Sequence, residues 1–298
     1  MHIAISGSSG VIGEAACRHL EAAGHEIYRI VRRPPNRSTD ISWSPDTDQI
    51  NAAELERVDA VVHLAGESIT GRWSAAKKKR IRESRVRGTT LLSQTLAQLN
   101  RKPRVLISAS AIGYYGNCQD RIVDESSASG DSFLAEVCTA WEEATAAASD
   151  AGVRVVMLRF GIVLARAGGA LAQMLPVFNA CGGGIVGTGR QWWSWVAIDD
   201  AVGAIQHLLE HEEARGPFNV VGPNPVSNRQ FTKTLGLVLS RPTLLPVPAF
   251  AARLALGQMA DETLLSSQRV VPGALQGDGY TFSLPDLEQA LRHVLKPS

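Results

Sequence analysis

Residues 2–13 read HIAISGSSGVIG, and this stretch decides the fold. His2 to Ser6 is a short apolar run. Gly7, Gly10 and Gly13 follow at GxxGxxG spacing, and a helical pattern runs from Val11 to Ala23. Taken alone, three spaced glycines also fit a structural tight turn. Between a strand and a helix they make a phosphate cradle: small residues admit the backbone to a pyrophosphate, and the helix start supplies oriented N–H groups and positive potential. Gly7, Ser8, Ser9, Gly10, Val11, Ile12 and Gly13 are therefore expected to hold a dinucleotide.

The second strand, Glu26 to Val31, selects among dinucleotides. An NAD site usually places a carboxylate at its end for the ribose 2′-hydroxyl. Here Arg32 and Arg33 follow Val31, with no acid before Asp40. Guanidinium groups match a 2′-phosphate in charge and geometry, which favours NADP(H). The competing reading is a solvated surface pair.

Further apolar runs lie at 59–65 (DAVVHLA), 104–108 (RVLIS), 153–160 (VRVVMLRF) and 217–221. Helical stretches separate them at 75–99, 133–151 and 197–213. Near-continuous apolar strands alternating with helices predict an α/β fold of Rossmann type, a doubly wound parallel sheet. The expected division is a dinucleotide-binding domain over 1–222, with 168–195 contributing a lid to the substrate cleft, and a smaller C-terminal α/β substrate domain over 223–298.

The 298 residues carry 30 Lys plus Arg and 29 Asp plus Glu, a net charge of +1, which argues against a nucleic-acid coat. With 45% hydrophobic and 20% charged residues the chain is too apolar for disorder. Cys17, Cys118, Cys138 and Cys181 form no CxxC pair, as expected of reduced thiols. No uncharged run approaches a membrane span, and a strand starts too early for a signal peptide. A cytoplasmic protein without membrane or nucleic-acid partners is the expectation.

Several segments together resemble one family. These are SGSSGVIG (6–13), HLAGESI (63–69), SRVRGTTLL (84–92), SASAIGYYG (108–116), FLAEVCTAWE (133–142), LRFGIVLARAGGAL (158–171), GTGRQWWSWVAIDDAV (187–202) and the tail 256–291. The chain resembles the epimerase-like subfamily of atypical, extended short-chain dehydrogenase/reductases, within the NAD-dependent epimerase/dehydratase family. The resemblance implies a Rossmann domain, NADP(H) and a C-terminal substrate domain. Leu64, Ala65, Gly66, Glu67, Arg85, Ser108 and Phe160 join the expected cofactor contacts. Glu67 also reads as a turn or cap residue.

The superfamily's Tyr-x-x-x-Lys pair, in which Lys lowers the tyrosine pKa and Tyr moves the proton that accompanies hydride transfer, is absent. Leu134 and Cys138 occupy its positions, or Phe133 and Val137 in the adjacent register. Ser110 matches the superfamily serine best, and Tyr114 or Tyr115 is the candidate replacement for the proton donor. Both tyrosines also read as a packed pair. Two functions follow: an NADP(H)-dependent oxidoreductase or epimerase acting on a nucleotide-sugar-like or small carbonyl substrate, or a catalytically silent NADP(H)-binding sensor.

Three features remain. Residues 77–87 (KKKRIRESRVR) hold seven basic residues that cannot share one helix face, so a solvated helix with a subunit contact, in a homodimer, is favoured over an anion site. Trp192, Trp193 and Trp195 beside clustered glycines fit either a lid or core packing. His207, Glu210 and His211 spell H-x-x-E-H, read here as an ordinary helix, so no metal is expected.

Overall fold

In the computed structural model, which describes residues 1–296, His2–Ser6 forms β1, with Ile3 to Ser6 all buried. It lies inside a sheet whose other strands are β2 (Glu26–Val31), β3 (Asp40–Ser44), β4 (Gln49–Ile50), β5 (Ala60–His63), β6 (Val105–Ala111), β8 (Arg154–Phe160) and β12 (Gly216–Val220). The order is β12-β8-β6-β5-β1-β2-β3-β4, parallel throughout except for β4. The expected doubly wound sheet is therefore present. β3 and β4 escaped the sequence reading because DISWS offers only Ile41 and Trp43 as apolar residues, too few for an apolar run.

The helices of this layer are α1 (Val11–Ala22), α2 (Ala52–Leu55), α3 (Ala75–Gln98), α4 (Phe133–Glu143), α5 (Ala146–Asp150), α6 (Gly169–Asn179) and α7 (Ile198–Glu210). α1 and α7 pack over one face, on a core that includes Ile3, Ile5, Leu20, Ile107, Val156 and Ile205. The opposite face buries Ala4, Ile30, Val61, Leu92, Leu106 and Val155 beneath α3 and α5. The helix expected over 133–151 is interrupted at Thr145. There Ser93 of α3 donates to the Thr145 carbonyl at 3.0 Å and accepts from the Ala148 N–H at 2.8 Å, beside the backbone bonds from Ala148 and Ser149 to the same carbonyl. Likewise the helix expected over 197–213 ends at Glu210.

A second core gathers Leu164, Leu171, Phe178, Trp193, Trp195, Phe231, Leu235 and Leu291. It is built from α6, α8 (Asn228–Leu239) and α11 (Leu287–Val294). Between them lie α9 (Ala249–Leu256) and α10 (Gly273–Gly277), and Leu275 of α10 joins the α1–α7 core instead. Short strand pairs accompany these helices: β7 (Ile122–Val123) with β14 (Arg269–Val270), β9 (Ile162–Leu164) with β11 (Trp195–Ala197), and β10 (Trp192–Trp193) with β13 (Val226–Ser227). Residues 162–197 thus share a core with the C-terminal helices, on both sides of the boundary expected at 222. Trp193 and Trp195 are interior residues. Trp192 is half-buried, donating to Asp120 at 3.0 Å under the Arg269 guanidinium.

At the sheet's centre Ser6 of β1 lies beside His63 of β5, with Ser6 Oγ 2.6 Å from His63 Nδ1. Burial pushes the His63 imidazole down to about 4. The folded protein keeps it neutral down to that pH, whereas in the unfolded chain it takes a proton near pH 6.5. Stability should therefore fall as pH drops from about 6.5 to about 4, by about 3 kcal/mol from this residue. Denaturant midpoints across that window should fall more steeply for the wild type than for His63→Gln; parallel slopes would refute the assignment.

Candidate functional site

The order of the sheet reverses direction between β1 and β5, and open α/β sheets bind ligands in the crevice at such a switch point. Gly7 leaves β1 at φ +66°, and a Cβ there would lie 2.7 Å from the Leu64 carbonyl and 2.8 Å from the Ala65 nitrogen. Gly13 is buried, and its Cβ would lie 2.8 Å from the Gly7 carbonyl carbon and 2.9 Å from Ser8 Cα. The turn closes through Gly10 N–H donating to the Gly7 carbonyl at 2.9 Å. Leu64 N–H donates to Ser6 Oγ at 3.2 Å, which locks the ends of β1 and β5 together. Ser9 and Gly10 are exposed, and Ser8, Val11 and Ile12 half-buried. Any Cβ on Gly168 would run into the Val11 side chain, so α6 begins beside the start of α1.

At the end of β2, Arg32 is exposed and has no hydrogen-bond or ion-pair partner among the described residues. Arg33 is engaged: its Nη1 donates to the Asp40 carboxylate and to the Pro34 carbonyl, both at 2.9 Å. The same Asp40 oxygen accepts from the N–H groups of Asn36 (3.0 Å) and Arg37 (3.2 Å), while its Oδ1 is buried without a partner among the described residues. Burial works against ionisation, but these N–H groups and Arg33 hold the Asp40 carboxyl below the usual range. The acid that the sequence sets eight positions beyond Arg32 folds back onto its neighbour.

Gly66, Glu67 and Arg85 meet in one corner. The Arg85 guanidinium donates to the Glu67 carbonyl at 2.9 Å, lies 4.9 Å from the Trp141 ring, and would sit 3.2 Å from a Cβ on Gly66. The Glu67 carboxylate takes Lys77 at 2.8 Å, with Arg80 at 3.6 Å, and Lys77 foremost holds it below its ordinary pKa. The basic run 77–87 is thus dispersed: Lys79 faces Glu83, Arg87 faces Asp48, Lys78 lies over Phe133, and Arg82 is exposed. Ser108 and Phe160 sit in the interior, Ser108 in mid-sheet and Phe160 in the α1–α7 core.

The catalytic candidates fall into a buried polar chain. Ser110 donates to Glu142 Oε1 at 2.6 Å. Arg159 grips Glu142 with Nε and Nη2, both at 2.8 Å, and donates through Nη1 to the Tyr115 hydroxyl at 2.9 Å. Tyr115 in turn donates to Asn219 Oδ1 at 2.7 Å. Burial, partly offset by Arg159, pushes the Tyr115 phenol up to about 12, and Glu142 raises Arg159 in spite of burial. Ser110 and Tyr115 are nearly inaccessible, at 3% and 2%, and their hydroxyls are committed inside the protein. The expectation placed these hydroxyls at a substrate oxygen; in this structure they bond to Glu142, Arg159 and Asn219. Tyr114 differs: it is half-buried, its ring is 3.5 Å from the Arg159 guanidinium, and its hydroxyl has no partner among the described residues. Leu134 and Cys138 both face Gly113, 3.2 and 3.7 Å from where its Cβ would be. Burial pushes the Cys138 thiol up to about 11, so neither position supplies an acid or a base at neutral pH.

Sequence reasoning missed Glu142, Arg159, Asn219 and the Asp40 contact. The available signal was charge inside apolar context: Arg159 interrupts a strand, and Glu142 follows the buried Trp141. A cavity of about 830 Å³ opens at the amino ends of β6, β8 and β12, by Arg104, Arg154 and Gly216, and reaches Glu142. It contains none of the predicted site residues, and the carboxyl-end crevice is the place where open sheets bind ligands.

A family model described as "NAD dependent epimerase/dehydratase family" matches residues 3–228. A second, "Domain of unknown function (DUF1731)", matches 247–294. The chain is 44% identical over 293 residues to epimerase family protein Mb2239 of Mycobacterium bovis, covering 98% of this chain and 97% of that protein. The crystal structure of human epimerase family protein SDR39U1 (isoform 2) with NADPH superposes with a TM-score of 0.90 at 32% identity, covering 99% of both chains. The nucleoside-diphosphate sugar epimerase from Corynebacterium glutamicum gives 0.83 at 38% identity, covering 99% of this chain and 58% of that one.

Removing one partner of a buried ion pair strands the other charge. Glu142→Ala should cost roughly 3–5 kcal/mol in chemical denaturation, and the double variant Glu142→Ala/Arg159→Met distinctly less. A loss below about 1 kcal/mol for the single variant would show that the pair is solvated.

Proposed function

From the premise that this chain belongs to the NAD-dependent epimerase/dehydratase family, we propose that it is an NADP(H)-dependent oxidoreductase or epimerase. Its substrate in this reading is a nucleotide-sugar-like molecule or a small carbonyl compound. The observation that carries the proposal is the Gly7–Gly13 turn packed against Leu64–Ala65 at the switch point, with Arg32, unpaired among the described residues, at the end of β2. The NADPH in the human SDR39U1 structure supports the choice of cofactor.

The chain's residues divide the work of binding. The 7–13 turn and the start of α1 take the pyrophosphate through backbone N–H groups, which only Cβ-free positions leave accessible. Arg32 meets the 2′-phosphate, and Asp40 shapes the 33–37 loop by holding Arg33 and two backbone N–H groups. Bound NADP(H) would supply the hydride-transferring group. Tyr114 is the candidate to move a proton at the substrate oxygen, since Ser110 and Tyr115 are committed to Glu142, Arg159 and Asn219. Arg159, under the Tyr114 ring, acts as a positioning residue, fixed by Glu142 from below.

The same buried chain favours a second reading, in which the cofactor site persists in a silent NADP(H)-binding sensor. Incubation with NADPH and a panel of carbonyl compounds and nucleotide sugars separates the two. Turnover lost on Tyr114→Phe, with NADPH binding intact, supports the enzyme. Tight binding without turnover supports the sensor, and no binding refutes both.

Cofactor selectivity gives a sharper test. Arg32→Ala should weaken NADPH roughly tenfold or more in a fluorescence titration while leaving NADH little changed. Arg33→Ala should do less, because Asp40 already shares its charge. Equal losses for both nucleotides would overturn the 2′-phosphate assignment.

A further inference from the structure

Segment 278–284 docks along one face of α7. Asp200 accepts from the N–H groups of Ser283 (2.7 Å) and Leu284 (3.0 Å), and the Tyr280 hydroxyl donates to the Asp200 carbonyl at 2.9 Å. Gly203 gives the Tyr280 ring room, since a Cβ there would be 2.6 Å from its hydroxyl oxygen. One and two turns further along the same face stand His207 and His211. Asp278, the residue that ends α10, comes over to them.

We propose that His207, His211 and Asp278 form a binding site for a divalent transition-metal ion of the zinc class. One ligand atom from each lies within 4.8 Å of the others. His207 Nε2 is 2.8 Å from Asp278 Oδ2, and the two imidazoles stack at 3.8 Å between centroids. His211 Nδ1 donates to the His207 carbonyl at 2.9 Å, which makes Nε2 the nitrogen with a free lone pair. A ligand histidine commonly donates its other N–H to a backbone carbonyl in this way, so that its orientation is fixed before the ion arrives. Two imidazole nitrogens and one carboxylate oxygen suit zinc at bond lengths of about 2.0–2.2 Å, with water in the fourth position. His211 is exposed, which leaves an entry path.

The H-x-x-E-H spacing by itself offers two ligands, and the expectation from sequence was no metal. Asp278, 71 residues from His207, supplies the third. Glu210 of that motif does not join them; it accepts from Gln206 at 2.8 Å. The arrangement therefore lacks the glutamate base of a peptidase and suits a structural clamp. It would fasten the C-terminal segment to α7, far from Arg32 and the 7–13 turn in function, so it stands independently of the NADP(H) reading.

The test uses the full chain without a polyhistidine tag, stripped with chelator and titrated with zinc chloride by calorimetry. Cobalt(II) absorption reports the coordination geometry. Expected are one equivalent of saturable binding, a tetrahedral cobalt spectrum and a higher melting temperature with zinc than with chelator. His211→Ala and Asp278→Asn should each weaken binding by about tenfold or more, and Glu210→Gln should not. Circular dichroism of the stripped variants confirms that they are folded; His211 is exposed, so its replacement leaves the core untouched. Absence of saturable binding, or binding that survives both ligand substitutions in folded protein, would reduce the cluster to an ordinary His–Asp hydrogen bond and overturn the proposal.

Discussion

Contact between the backbones that leave β1 and β5 is the constraint on which the rest of the site depends. Gly7 abuts Leu64 and Ala65 so closely that no side chain fits between them, and Gly13 abuts Gly7 in turn. Ser6 and His63 hold this junction from within the sheet, since Ser6 Oγ serves both the imidazole and the Leu64 N–H. The crevice for an anionic ligand is therefore made of main chain and helix start, with little side chain. Its electrostatics come from fixed N–H dipoles, which need no titrating group and no rotamer choice.

A buried ion pair occupies the neighbouring ground. Glu142 and Arg159 share two hydrogen bonds and extend them to Ser110, Tyr115 and Asn219. Such a chain carries a large desolvation cost that only complete hydrogen bonding offsets. It also ties β6, α4, β8 and β12 to one another at the carboxyl end of the sheet. Where the wider superfamily keeps a lysine and a tyrosine facing the cofactor, this chain has an apolar residue and a buried thiol, with its charge one layer deeper. Tyr114 lies above that layer, its ring against the Arg159 guanidinium.

The fold was legible because its signal is local. Apolar runs such as AVVH and VVMLRF, and glycines at set spacing, mark strands and turns without reference to distant residues. What stayed hidden depends on partners far apart in sequence. Asp40 meets Arg33 only because β3 lies beside β2, and β3 itself alternates too weakly to announce a strand. Glu142 and Arg159 each stand in an apolar context, but that they pair is visible only once β8 and α4 bury them together. The break at Thr145 is met by Ser93 on another helix. Pairings of this kind are properties of topology, so composition and period cannot report them.

The same reasoning explains why the C-terminal segment cannot be treated as an appendage. Its Glu262 accepts from the Leu134 N–H at 2.8 Å, capping the start of α4 where the usual tyrosine would stand. Gln268 donates to the carbonyls of Ile112 and Gly116, on either side of Tyr114 and Tyr115. Asp200 and Tyr280 fasten the following stretch to α7. The loop carrying Tyr114 is thus held by the sheet from below and by residues 262–271 from the side. A change in how that segment docks would reach the Tyr114 loop directly, whereas the dinucleotide crevice is built on the ends of β1 and β5 and the start of α1. The glycine turn therefore rests on the sheet, and the Tyr114 loop rests on both the sheet and the C-terminal segment.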